Sequence, residues 1–234
     1  MKLDILHQDE HVVVVNKPSG LLSIPDRYNA EIPNLTALLG RQLNGPVKAV
    51  HRLDRPTSGI IIVARTTEAH RELNRQFEQR EIDKVYHAIV DGQPPLLEET
   101  EVDEPIASNP GQTGMMMVSN RGKYAMTLFR AEEHLGNGFA YVGVQIFTGR
   151  THQIRVHLAH RGHPLLGDGV YGAAYRTKSA RLPEAARAAL AELPGQALHA
   201  ASLAFAHPRG GDTMRFDSAP PDHYARLVNA LRDG

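Results

Sequence analysis

The chain has 234 residues, 41% hydrophobic and 22% charged, with 26 Lys and Arg set against 26 Asp and Glu and no cysteine. That apolar content suffices for one substantial domain or two small subdomains and excludes a chain that is disordered throughout. The missing cysteine excludes a disulfide scaffold, a thiolate metal site and a cysteine nucleophile, and the balanced charge excludes strong overall attraction to phosphate.

The first ten residues lack the apolar region of a signal peptide, and no later stretch stays apolar for the roughly 18 residues of a membrane span. A soluble, cytoplasmic protein is expected. Val12 to Val15 is a β-branched run ended by Asn16-Lys17-Pro18-Ser19-Gly20, which predicts a short buried strand entering a turn. Gly59 to Ala64 predicts a second buried strand. Thr66 or Thr67 then caps a helix in which Ala69, Leu73 and Phe77 recur every four residues, with Glu68 and Glu72 early. Tyr86 to Val90 and Tyr141 to Phe147 predict strands, and Gly136-Asn137-Gly138 predicts a hairpin turn before the second. Met115 to Met117 is expected to fill a gap or lie in a loop. Thr151 to His160 predicts a short helix closed by Gly162, with His152, Arg155 and Ala159 on one side. Pro183 to Leu193 predicts an Ala-rich helix stopped by Pro194-Gly195.

Strands and helices do not alternate as βαβ units, so a mixed α+β architecture is expected, with a largely antiparallel central sheet and flanking helices and loops. One contiguous domain over residues 1–234 is the simplest division. The Pro-rich and acidic stretch from Gln93 to Gln112 is a candidate connection between two halves, too weak a signal to split the chain. Charge is segregated: between Glu133 and Glu184 Asp168 is the only acid, among Arg150, Arg155, Arg161, Arg176, Lys178, Arg181 and five histidines. Glu98, Glu99, Glu101, Asp103 and Glu104 gather elsewhere. Such a pattern fits a basic face opposite an acidic edge and equally an ordinary solvated surface.

Chemistry concentrates in His51-Arg52-Leu53-Asp54-Arg55-Pro56-Thr57-Ser58-Gly59. A carboxylate between two arginines is held ionised, giving a nucleophile or base and not a general acid. Thr57 and Ser58 can bond local backbone, and Gly59 permits angles closed to other residues. Taken alone, an aspartate beside arginine is more often a structural ion pair than a catalyst.

The whole nine-residue string resembles the active-site motif of the RluA family of pseudouridine synthases. Asn16-Lys17-Pro18-Ser19-Gly20 is similar to the family's first motif, and Lys84 to Val90 to its tyrosine motif. Thr148 to His157 with Gly162 to Asp168 resembles the third motif, and Leu198-His199-Ala200 with Phe205 to Pro208 its closing strand. The matches run in family order from about residue 5 to about residue 210, the family's catalytic fold therefore being expected. Gly20 to Arg27 and the helix Arg71 to Glu81 further resemble the dual tRNA and 23S rRNA type, and only 15 residues precede Asn16, so no S4 domain is expected. Tyr124, and the Gln93 to Thr113 region, depart from the pattern.

The resemblance implies that Asp54 is the catalytic aspartate, Arg155 the arginine that pairs with it and Tyr86 the residue stacked on the target uracil. It further implies that Leu198 closes the pocket and that Arg52 touches RNA beside the extruded base; from the charge of the segment itself, basic residues near Arg150 and His152 are expected to hold phosphates. No cofactor or metal is implied. The expected partner is RNA, a tRNA anticodon stem-loop or a 23S rRNA hairpin or both, with no membrane, no DNA and a monomeric state. Sugar attack, base attack and elimination all use the same aspartate and stay open. The rivals are an RNA-binding module of this fold that has lost activity, a zinc hydrolase built on His152, His157, His160 and His163, and a glycoside hydrolase using Asp168 as a second carboxylate.

Overall fold

The computed structural model describes residues 1–172, 179–180 and 182–232. Arg176, Lys178 and Arg181 of the basic segment lie outside the described residues. The chain divides into two compact units, Met1–Lys84 with Ala200–Ala219, and Val85–His199 with Pro220–Gly234.

In the first unit β1 (Asp4–Gln8), β2 (Val12–Lys17), β4 (Ser58–Ala64) and β11 (Leu198–Ala206, of which residues 200–206 belong here) lie side by side in that order. The short β3 (Lys48–Ala49) pairs with β4, and β12 (Thr213–Asp217) with β11. Val12 to Val15 and every residue of β4 are buried, which is why these stretches show continuous β-branched runs instead of alternation. Helix α1 (Leu35–Gln42) starts where the Asn34 side chain accepts from the Ala37 N–H at 3.0 Å. Helix α2 (Thr67–Gln79) starts the same way, Thr66 Oγ1 accepting from the Ala69 N–H at 3.1 Å, and it stops at Arg80 in the left-handed conformation. Its Ala69 and Leu73 pack with Val12, Val14, Ile60, Ile62 and Phe205 in one core. Each such large aliphatic side chain contributes about 1.5–3 kcal/mol by leaving water.

The second unit carries β5 (Asp83–Asp91, from Val85 on), β10 (Phe139–Ile146), β9 (Met126–Leu135) and β6 (Glu99–Asp103), antiparallel and in that order. The predicted hairpin turn is a single 3-10 turn at Gly136–Gly138, with Asn137 at φ 61°, joining β9 to β10. A separate ribbon pairs β7 (Ile106–Ser108) with β8 (Met116–Val118). Helices α3 (Gln153–His160), α4 (Glu184–Ala191) and α5 (Asp222–Arg232) complete the described elements of this unit. Ile89, Leu135, Phe139, Leu166, Ala186, Tyr224, Leu227 and Leu231 form its core.

The architecture is the expected mixed α+β class, and antiparallel pairing dominates. One local expectation needs correcting. The Gln93 to Gln112 stretch is not a connection: it contains β6 and β7, and the division between units falls elsewhere. Its acids Glu99, Glu101 and Asp103 are the exposed residues of β6, while Val102 between them is buried. Charges on a terminal strand discourage pairing with another chain, so the acidic cluster protects an edge. Met116 and Met117 lie in β8, and Met116 packs against the small core of Ile106, Ala125 and Val156, so of the two expectations for this run gap-filling holds for Met116 and a loop does not. Among the described residues no helix is long and apolar enough to cross a membrane.

Candidate active site

In the first unit Asp54 sits, half-buried, in the loop that feeds β4, and that loop is stitched to the turn after β2. The Gly20 N–H donates to Arg55 O at 2.8 Å, and Arg55 Nε donates back to Gly20 O at 3.0 Å. Ser19 Oγ donates to Pro56 O. Ser23 Oγ donates to Leu53 O at 2.7 Å and accepts from the Leu53 N–H at 3.0 Å. The Thr57 N–H closes a turn onto Asp54 O at 3.0 Å. The backbone from Leu53 to Thr57, on both sides of Asp54, is thus held by five of these six hydrogen bonds.

Lys17, the last residue of β2, is 0% exposed and lies beneath this loop. Its Nζ donates to Leu21 O at 2.8 Å, Pro18 O at 3.1 Å and Arg55 O at 3.3 Å, which uses the three donors of an ammonium. Burial pulls its pKa down to about 7, and the Asp54 carboxylate works against that shift. Lys17 belongs to the first motif, and the motif alone assigns it no role. A lysine closing a run of four buried valines is the signal that marks it, because a buried ammonium needs carbonyl partners or a counter-charge. The arginines read from the sequence as flanking Asp54 behave differently: both are exposed, and Arg55 spends its Nε on Gly20 O.

His51, which opens the motif, is structural. Its Nε2 accepts from the Ile62 N–H at 3.0 Å, and its ring lies 4.7 Å from that of Phe77. Burial, aided by the charge of Lys84, pushes its pKa down to about 3, so it is neutral and an acceptor. Gly59 has φ +109°, and a Cβ there would meet Ala200 O at 2.2 Å and Ala200 N at 2.6 Å.

In the second unit Tyr86 is buried on β5, opposite Val144 of β10. Arg155, in α3 and 7% exposed, donates from Nε to Asp168 Oδ2 at 2.7 Å and from Nη2 to Asp168 Oδ1 at 3.0 Å. Asp168 is 1% exposed and also accepts the N–H groups of Val170 and Tyr171 at 2.9 and 3.1 Å. Burial raises its pKa, but the Arg155 bonds and charge, with the two N–H bonds, leave the net shift downward. The guanidinium lies 4.9 Å from the centre of the Tyr171 ring. Tyr171 OH in turn accepts from the Met116 N–H at 2.8 Å and meets His152 Nδ1 at 2.9 Å. Asp168 therefore takes two of the five donors of Arg155 and fixes its plane, which is a stronger restraint than a point-charge contact.

His152 caps α3 in the left-handed conformation, φ 56° and ψ 21°, without a side-chain cap bond. A non-glycine residue held there costs about 1–3 kcal/mol and marks a place where shape is maintained against local preference. Gln153 organises the turn before the helix: Oε1 accepts from Thr148 Oγ1 and Arg150 N at 2.7 and 3.0 Å, and Nε2 donates to Met126 O at 2.9 Å. Arg150 is half-buried with Nε on Tyr124 O at 2.8 Å. Leu198 is buried at the start of β11. Arg52 is exposed.

The rival sites lose their members to other contacts. His157 is bonded to Thr127 Oγ1 and Glu104 O, each at 2.9 Å, His152 to Tyr171, and among the described residues no group of three candidate ligands could hold a metal. Asp168, the candidate second carboxylate, is committed to Arg155.

The chain belongs to the RNA pseudouridylate synthase family, whose model matches residues 11–160. Among its relatives, the ribosomal large subunit pseudouridine synthase D of Pseudomonas aeruginosa is 38% identical over 240 residues, covering 99% of this chain and 72% of that protein. The dual-specificity RNA pseudouridine synthase RluA of Salmonella typhi is 41% identical over 215 residues, covering 92% and 91%. Among solved structures, human RNA pseudouridylate synthase domain containing 4 superposes with a TM-score of 0.75 at 26% identity, over 98% of this chain and 93% of that one.

Proposed function

We propose that the chain isomerises a specific uridine to pseudouridine in a structured RNA hairpin, a tRNA anticodon stem-loop or a 23S rRNA element or both. The observation that carries this reading is Asp54, present in the family's motif and held by a loop whose backbone is bonded on both sides. The reaction breaks the bond from N1 to C1′ and forms one from C5 to C1′, with the C5 hydrogen lost to solvent and a proton gained at N1. Atoms balance without oxidant, reductant or cofactor.

Asp54 is the carboxylate that acts on the sugar or the base. Arg155 offsets the cost of desolvating that charge, and Tyr86 offers a ring face to the detached uracil, a stack worth on the order of 1–3 kcal/mol. Extruding the nucleotide costs a few kcal/mol, least in a loop, which favours hairpins. Arg52 occupies the gap left in the stack, Leu198 closes the pocket, and Arg150 and His152 hold phosphates. The chain acts as a single catalytic domain, as a monomer in the cytoplasm. Digestion of treated RNA to nucleosides tests the reaction: pseudouridine should appear with no free uracil, whereas a glycoside hydrolase would leave free base and an abasic RNA.

A further inference from the structure

The segment from Ser23 to Asn34 contributes little to the core, and the proposed chemistry does not use it. Both of its ends are anchored. At one end Ser23 is bonded twice to the backbone of Leu53, the residue before Asp54. At the other the Leu35 N–H donates to Leu22 O at 2.8 Å, and Asn34 caps α1. The tip is organised from within: Asp26 Oδ1 accepts from the N–H groups of Tyr28 and Asn29 at 2.9 and 3.0 Å, and Asn29 Oδ1 accepts from the Glu31 N–H at 3.0 Å. On this tip stands Tyr28, 90% exposed, more so than even the terminal Met1 at 82%.

An aromatic ring left almost wholly in water on a braced turn gives nothing to folding. It is pre-organised for something that arrives from outside. The loop leaves the fold next to the residue before Asp54, and Tyr28 is five steps along the chain from Ser23, so their Cα atoms are at most about 18 Å apart. A substrate RNA that brings a nucleotide to Asp54 passes through that zone. The immediate surroundings discriminate between partners: Arg27 and Asn29 on either side of Tyr28 are polar and exposed, and the large aliphatic residues of the segment, Ile24 and Ile32, are half-buried, so the ring stands out singly and not as part of a broad aliphatic face. A single ring with an arginine beside it is what a nucleobase needs, because every base presents a π-face.

We propose that Tyr28 is an RNA-contact residue that stacks on an unpaired base of the substrate hairpin and so contributes to choosing the RNA. This rests on the pseudouridine synthase reading. Tyr28→Ala and Tyr28→Phe would be compared with wild type for single-turnover tritium release from 5-tritiated tRNA and 23S rRNA transcripts. The side chain is exposed, so both variants should fold and melt as wild type does. Tyr28→Ala should raise the half-saturating RNA concentration about 5- to 150-fold, the effect of losing one aromatic stack, with the rate at saturation within twofold of wild type. Tyr28→Phe should stay within about twofold on both measures, since the ring is retained. An unchanged half-saturation for Tyr28→Ala, or an equal loss in Tyr28→Phe, would overturn stacking by this residue while the synthase reading stands. No release by wild type from any transcript would overturn that reading, and this inference with it.

Discussion

His51 and Lys17 behave as buried groups whose charge state is set by the fold, and each makes a measurable prediction. The His51 imidazole is held neutral, its pKa pushed down to about 3, whereas in the unfolded chain it titrates near 6.5. Between those values the unfolded chain binds a proton that the folded chain does not, so stability falls as pH drops through that window, by about 1.4 kcal/mol per pH unit. Urea unfolding of His51→Gln between pH 4 and 6 should show a slope shallower by about that amount. An unchanged slope would mean that His51 is already protonated in the folded protein. Lys17→Met leaves Leu21 O, Pro18 O and Arg55 O without their donor, and should destabilise by about 3–5 kcal/mol, read as a lowered urea midpoint. The role of His51 was not legible in the sequence, and for Lys17 the valine run before it signals burial without showing which carbonyls receive the ammonium. The motif shows that a histidine and a lysine are there, but whether an imidazole accepts from a strand or faces a phosphate depends on which backbone passes it.

Elements with strong local signals were legible, and those defined by distant partners were not. The valine run of β2, the isoleucine run of β4 and the capped, four-residue periodicity of α2 are local properties, and all three form as expected. The short strand β1, whose residues alternate between exposed and half-buried, exists because β2 offers it an antiparallel partner. Helix α5 carries Tyr224, Leu227, Val228 and Leu231 at helical spacing, a signal present in the sequence. Close approach of two strands is likewise invisible locally. Gly59→Ala would place a methyl group 2.2 Å from Ala200 O at a φ of +109°, and should cost about 3–5 kcal/mol, seen as loss of the folded protein at moderate urea. In α3 the sequence marked Arg155, but not that Asp168 grips it. Asp168→Asn should lower the single-turnover rate about 100-fold through misplacement of the guanidinium. RNA affinity should hold, and Asp168→Glu should recover part of the rate. Equal losses in rate and affinity would instead make Asp168 a purely structural residue.

For the whole molecule, the α+β class and the family followed from motifs spread along most of the chain, while the division into two compact units did not follow from composition. Linkers are read from Pro and acid content, yet the Gln93 to Gln112 stretch that carries it contains an edge strand and one strand of a ribbon. With 26 basic and 26 acidic residues, RNA binding must rest on local contacts. The dependence of log affinity on log salt should be modest, about 3–4 in magnitude, if a handful of residues such as Arg150 make the proposed phosphate contacts. The most direct test of the central claim is tritium release from 5-tritiated tRNA and 23S rRNA transcripts by wild type and by Asp54→Asn. Isomerisation must expel that hydrogen, so release by wild type and none by Asp54→Asn is the expected result. Equal release by both proteins, or tight RNA binding by wild type with no release from either transcript, would contradict it.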